Sequence, residues 1–140
     1  MATPVYGKQF IRFAETGYVP DAVALAQFTL VVSDNSGAEP PVLAQLTAGG
    51  EAMGVLQQDV DAVDADKATT FQRLGTVATS GLRLVAADAA NLQAQGDPLS
   101  VDGNGLSSSA GGAVTCNGTT PIVRQQVQIG GEAMVLVSFS

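Results

Sequence analysis

The chain has no histidine, no tryptophan, one cysteine (Cys116) and only 14% charged residues among its 140. Without histidine, the usual general acid/base, the Ser-His-Asp and Cys-His nucleophile systems and most zinc sites are excluded. One cysteine cannot form an intrachain disulfide, so Cys116 reads as a small buried hydrophobe, with a reactive thiol or an intersubunit bridge as the alternatives, and nothing requires an oxidising compartment. The basic residues are six, Lys8, Arg12, Lys67, Arg73, Arg83 and Arg124, scattered in a chain of net charge −7. That balance excludes nucleic acid as a direct partner, because phosphate binding needs clustered cations. So little charge, well below the usual quarter, fits a surface covered in an assembly.

Long apolar runs are also missing. The stretch Val23–Val32 contains Gln27 and Thr29 and falls far short of a membrane span, so no membrane partner is expected. The first twenty residues interleave Lys8, Arg12 and Glu15 with aromatics, unlike the apolar core of a signal peptide. No glycine-rich loop ends in Lys-Ser/Thr, and no dinucleotide-binding fingerprint occurs. A pair of carboxylates could serve a glycosidase, but such clefts usually want aromatic platforms that a chain without tryptophan is poor in. The expectation is a protein that is not an enzyme, with no catalytic residues, no metal and no cofactor.

The densest acidic cluster is Asp59, Asp61, Asp64 and Asp66. Hard cations take oxygen ligands from such loops, but the EF-hand glycine and terminal glutamate are absent, the twelfth position from Asp59 being Thr70. The cluster reads as a solvated loop between strands. The sequon Asn117-Gly118-Thr119 would matter only in a secreted eukaryotic protein.

What the chain does contain is turn and strand signals. Gly-Gly-Glu-Ala-Met occurs twice, at Gly49–Met53 and Gly130–Met134, each copy running into apolar residues. A glycine pair followed by period-2 apolar residues describes a turn feeding a strand. The copies are 81 residues apart, too far for a solenoid unit.

The length suits one domain. Residues 1–21 read as an N-terminal arm, and residues 22–140 as a single β domain. The arm holds Tyr6, Phe10, Phe13 and Tyr18, four of the seven aromatics, while Pro4, Gly7, Gly17 and Pro20 oppose a regular helix. Such a segment either packs on its own domain or anchors onto a partner through its aromatic area. The candidate partner-binding residues are Tyr6, Lys8, Phe10, Arg12 and Phe13.

Strands are predicted over Ala22–Ser33, Val42–Thr47, Ala52–Gln57, Thr69–Thr79, Leu82–Val85, Leu99–Asp102, Leu106–Ser108, Ala113–Cys116, Ile122–Ile129 and Ala133–Phe139. A polar loop, Asp34–Pro41, separates the first two. Ala86–Ala94 is the one candidate helical turn, alanine-rich with Asp88 near its start. Gly103-Asn104-Gly105 marks a tight hairpin, because Asn and Gly tolerate positive φ. Turn signals every eight to twelve residues predict an all-β fold, a small β-barrel or β-sandwich with at most one short helix. The expected core is Phe28, Leu30, Val55, Leu56, Phe71, Leu74, Val77, Val127, Ile129, Leu136 and Phe139.

The order of these pieces resembles a known family. Ala52-Met53-Gly54-Val55-Leu56, an acidic loop through Asp66, a strand Thr69–Leu74 and Gly75-Thr76-Val77-Ala78 are similar to the capsid decoration (cement, head-stabilising) proteins of tailed bacteriophages. So are Gly96-Asp97-Pro98-Leu99-Ser100-Val101-Asp102-Gly103-Asn104-Gly105 and the closing strand Ala133–Phe139. The resemblance spans about Val42–Ser140 and leaves the arm unmatched. It implies a small β-tulip-like domain with no catalytic or metal residues, bound as a homotrimer to the outer capsid surface of the virion. It further implies assembly in the host bacterial cytoplasm and stabilisation of contacts between major capsid protein subunits. The alternative reading is a carbohydrate-binding or tail-associated adhesion module. Sugar platforms need exposed aromatics on the β body, and beyond Tyr18 only Phe28, Phe71 and Phe139 remain.

Overall fold

The computed structural model describes residues 14–33, 41–62 and 73–139. Among them there is no helix, and the fold is all-β with no sheet closed into a barrel. Eleven strands are present: β1 Ala14–Val19, β2 Leu30–Ser33, β3 Leu43–Gln45, β4 Gly50–Ala52, β5 Gly54–Leu56, β6 Arg73–Ala78, β7 Gly81–Ala86, β8 Ser100–Val101, β9 Gly112–Cys116, β10 Ile122–Ile129 and β11 Glu132–Phe139. They form a five-stranded sheet β1-β6-β5-β2-β3 and two three-stranded sheets, β10-β11-β7 and β4-β9-β8.

The five-stranded sheet curls around a small core. Each strand contributes one buried residue to it: Val19, Val77, Leu56, Val31 and Leu43, with Leu25 and Val60 completing the cluster. The outer strands meet at one parallel bridge, Tyr18–Val42, where the Tyr18 N–H donates to the Pro41 carbonyl at 2.8 Å. Two facing glycines permit that curl. Gly17 lies opposite Gly75; a Cβ on the first would sit 2.3 Å from Leu43 Cδ2, and one on the second 2.9 Å from Leu56 Cδ1. Leu43 and Leu56 occupy the space those side chains would take.

A larger core joins all three sheets. Leu30 and Val55 enter it from the five-stranded sheet, Val85, Val123, Val135, Val137 and Phe139 from the second, and Ala52, Val101, Val114 and Cys116 from the third. Adjacent residues of β2 and β5 therefore serve different cores: Leu30 and Val55 the larger, Val31 and Leu56 the smaller. A strand apolar on both faces is what a wall between two cores requires.

The expected strand over Ala22–Ser33 is shorter than predicted. Residues 22–29 make turns around one antiparallel bridge, Leu25 to Val60, with the Thr29 hydroxyl donating to the Ala26 carbonyl at 2.6 Å. Phe28 has φ 67°, which breaks extended geometry before β2 begins. The candidate helical turn at Ala86–Ala94 is not a helix. Asp88 instead caps a single turn, accepting from the Ala90 N–H at 3.1 Å and the Asn91 amide at 3.0 Å, the local competition that draws Asp out of helices. Leu106–Ser108 forms two isolated bridges, both at Ser107, to Val101 and to Ala87, rather than a strand. The turn before it is as tight as predicted, with Asp102 Oδ1 accepting from the N–H groups of Asn104 and Leu106 at 2.8 and 3.0 Å. Residues 34–40, most of the predicted Asp34–Pro41 loop, and residues 69–72 of the predicted Thr69–Thr79 strand lie outside the described residues.

Of the expected core, Leu30, Val55, Leu56, Val77 and Phe139 are buried, while Phe28, Val127 and Leu136 are half-buried. Leu74 is 48% exposed and Ile129 44% exposed, and both are corrections. In β6, Gly75 and Val77 point inward, so the period of two turns Leu74 outward opposite Tyr18. Ile129 is displaced by a bulge described below. Phe71 lies outside the described residues.

Candidate interaction surface

The predicted partner-binding residues Tyr6, Lys8, Phe10, Arg12 and Phe13 lie outside the described residues. The structure does define where their segment joins the body. Ala14, the first residue of β1, pairs with Ala78 of β6, and residues 14–19 of the expected arm are a sheet strand.

Among the described residues, several polar groups that could have carried chemistry are committed to structure. Asp59 Oδ1 accepts from the Gln27 N–H at 2.8 Å. Among the described residues no three His, Cys, Asp or Glu converge as a metal site, and Asp64 and Asp66 lie outside them. Cys116 is buried in the larger core, its Sγ donating to the Met53 carbonyl at 3.6 Å. Burial, reinforced by the charges of Glu51 and Glu15, pushes its thiol up to about 11, so at neutral pH it is an unreactive neutral thiol. Gln93, also buried, ties three segments together: its amide donates to the Pro98 carbonyl at 2.7 Å, while its Oε1 accepts from the Ser100 N–H and the Ser107 hydroxyl at 3.0 Å each. A buried amide with its donors and acceptors satisfied rigidifies the fold.

What remains open is an apolar sheet face. In the β10-β11-β7 sheet one face carries Val85, Val135, Val137, Phe139 and Val123 into the core. The registers place three rows on the other face: Leu82–Ser138–Ile122, Leu84–Leu136–Gln125 and Ala86–Met134–Val127, with Ile129 beyond them opposite Glu132. Leu82 is 59% exposed and Ile129 44% exposed, and Leu84, Leu136, Ile122 and Val127 are half-buried. Met134 is the buried member, beside a cleft it shares with Phe28 and Leu106.

Sequence reasoning missed this face on β11 by placing Leu136 in the core with Phe139, although alternation puts the two on opposite faces, and on β10 because of one residue. The β10–β11 register shifts between Val123 and Gln125, so Arg124 is the extra residue of a β-bulge. A bulge exchanges the faces of every residue beyond it. Val127 and Ile129 share the parity of core-facing Val123, yet lie on the opposite face. Strict alternation in the sequence gives no sign of the bulge, and the only available cue was the charged Arg124 inside an otherwise uncharged strand.

No protein-family model and no curated protein matches the chain. Among solved structures, the fold is similar to the crystal structure of the head fiber gp8.5 N base in bacteriophage phi29, with a TM-score of 0.53 at 16% identity over 91% of this chain and 94% of that one. Among the described residues, no helix is long and apolar enough to cross a membrane.

Proposed function

We propose that the chain is a structural protein of a phage head. It sits on the outer surface of the capsid as a homotrimer, binds the major capsid protein and stabilises contacts between neighbouring subunits. The observation that carries this reading is the fold likeness, nearly end to end, to the base of a phage head fiber. It is supported by the order of motifs in the sequence and by the way polar groups are spent on structure rather than on a reactive centre. The protein acts by binding and catalyses no reaction. It meets neither DNA nor membrane directly.

The arm supplies the anchor in this reading. Tyr6, Phe10 and Phe13 offer contact area, and Lys8 and Arg12 offer charge. Thirteen residues precede β1, and a chain of that length, if fully extended, would reach on the order of 40 Å, enough to cross onto a neighbouring subunit. The test is to mix purified protein with capsids stripped of it and to follow co-sedimentation and the temperature at which the shells open. Bound protein with a raised opening temperature is the expected result, and failure to bind at any tested concentration overturns the reading. Removing residues 1–13 leaves β1 whole, so the truncated protein should keep its thermal midpoint and lose capsid binding.

A further inference from the structure

We propose that the outer face of the β10-β11-β7 sheet is where a second copy of this chain docks. The inference rests on the proposed homotrimer and assigns its interface.

Three observations point to a copy rather than to another partner. First, the three residue rows of this face hold no charged side chain. Copies each carrying −7 repel least across such rows, with the carboxylates Glu132 and Asp59 kept to one end, by the cleft beside Met134. Second, the face is flanked by one charge of each sign. Arg124 stands out at the bulge and Glu132 at the hairpin end; both are exposed, and neither forms an ion pair with a described residue. They are separated by about five residues of strand, or roughly 17 Å. In a closed head-to-tail ring the Arg124 end of one protomer meets the Glu132 end of the next, the heterologous contact that a trimer requires. Third, closed symmetry lets one such patch serve every protomer, which suits Leu82 and Ile129, the most exposed apolar side chains on it. β10 is also the edge strand of its sheet, its outer side paired with residues 96–99 only at its start, through the Pro98–Ile122 bridge.

The test uses the full-length protein. Native mass spectrometry and light scattering are run on the free protein, and the copy number per site is counted on reconstituted capsids, for wild type, Leu82→Glu, Ile129→Glu, Arg124→Glu and the double exchange Arg124→Glu/Glu132→Arg. Thermal unfolding of each variant reports that the fold is kept. The expected result is a trimeric wild type, association weakened roughly tenfold or more by either new glutamate in the contact, and recovery in the double exchange after loss in Arg124→Glu alone. In a Leu82→Cys/Ile129→Cys double variant, the introduced thiols, which lie at opposite ends of the face, should cross-link neighbouring copies under oxidation while buried Cys116 stays silent. Trimers that persist in both glutamate variants place the interface elsewhere and overturn this inference while leaving the homotrimer intact. Glutamate variants that stay trimeric but release the capsid identify the face as the capsid contact, and also overturn it. A wild type that is monomeric both free and on the capsid overturns the homotrimer itself.

Discussion

The two copies of Gly-Gly-Glu-Ala-Met are the same five residues under different constraints. At Gly49–Met53 the glycines lead into β4, which pairs in parallel with β9. A Cβ on Gly49 would lie 2.6 Å from the Gly112 carbonyl carbon, and φ there is +92°. Ala52 is the core residue of this copy, and Glu51 accepts a hydrogen bond from the Thr115 hydroxyl. At Gly130–Met134 the glycines are the exposed tip of the β10–β11 hairpin, with φ of 60° and 82° and open space around both. Here the methionine is buried and the alanine only half-buried. The pentapeptide specifies a turn into a strand in both places, while tertiary packing decides the strand's partner and which side chain goes inside.

The sharpest way to break the comparison is Gly49→Ala. Both the positive φ and the clash with the β9 backbone oppose it, so stability should fall by about 3 kcal/mol or more, read from the denaturation midpoint. An unchanged midpoint would show that the first copy is no more constrained than the second.

A smaller effect separates the copies by pH. Only the first copy touches a titrating core group, through the Met53 carbonyl that Cys116 bonds. Its thiol rises from the ordinary 9.0 to about 11 on folding. The folded state therefore holds its proton more tightly than the unfolded one. The contribution is complete below pH 9 and is lost as pH climbs through 11. Roughly 1–2 kcal/mol should disappear across that window, and a Cys116→Ala variant should lack this component of the pH profile. Equal alkaline slopes in the two proteins would exclude the thiol as its source.

At the hairpin tip, Gly131→Ala should cost about 1 kcal/mol from the backbone alone, since nothing crowds the new methyl group. Gly130→Asn should change the thermal midpoint least, because Asn accepts that conformation. A loss at either position as large as that of Gly49→Ala would mean that the tip is held by more than its dihedral angles.

Legibility in the sequence followed the same division between local and tertiary causes. Ile122–Ile129 was readable to the residue, and the closing strand to within one, because glycines bound their turn and apolar runs fill them. The all-β class was readable for the same reason. The smaller core was not, since Val31 and Leu56 look like one more step of an alternating pattern until the sheet curls and gives them a core of their own. The length of β2 was hidden by the left-handed Phe28, a conformation nothing in its neighbours announces. As for the candidate site, the arm residues fall outside the described residues, and the β10 part of the open apolar face was concealed by the bulge at Arg124.

The pairing of β1 with β6 has a mechanical meaning. Six residues, Ala14 to Val19, run antiparallel to Ala78 through Arg73 in unbroken register. A pull on the arm directed along β1 strains those rungs simultaneously, in shear, rather than peeling them apart one at a time. The seam at Tyr18–Val42 is a single bridge and would yield first under a sideways pull. The body is therefore strong along one axis and weak across it. A shell that swells under internal pressure would have to load the arm lengthwise for this fold to hold.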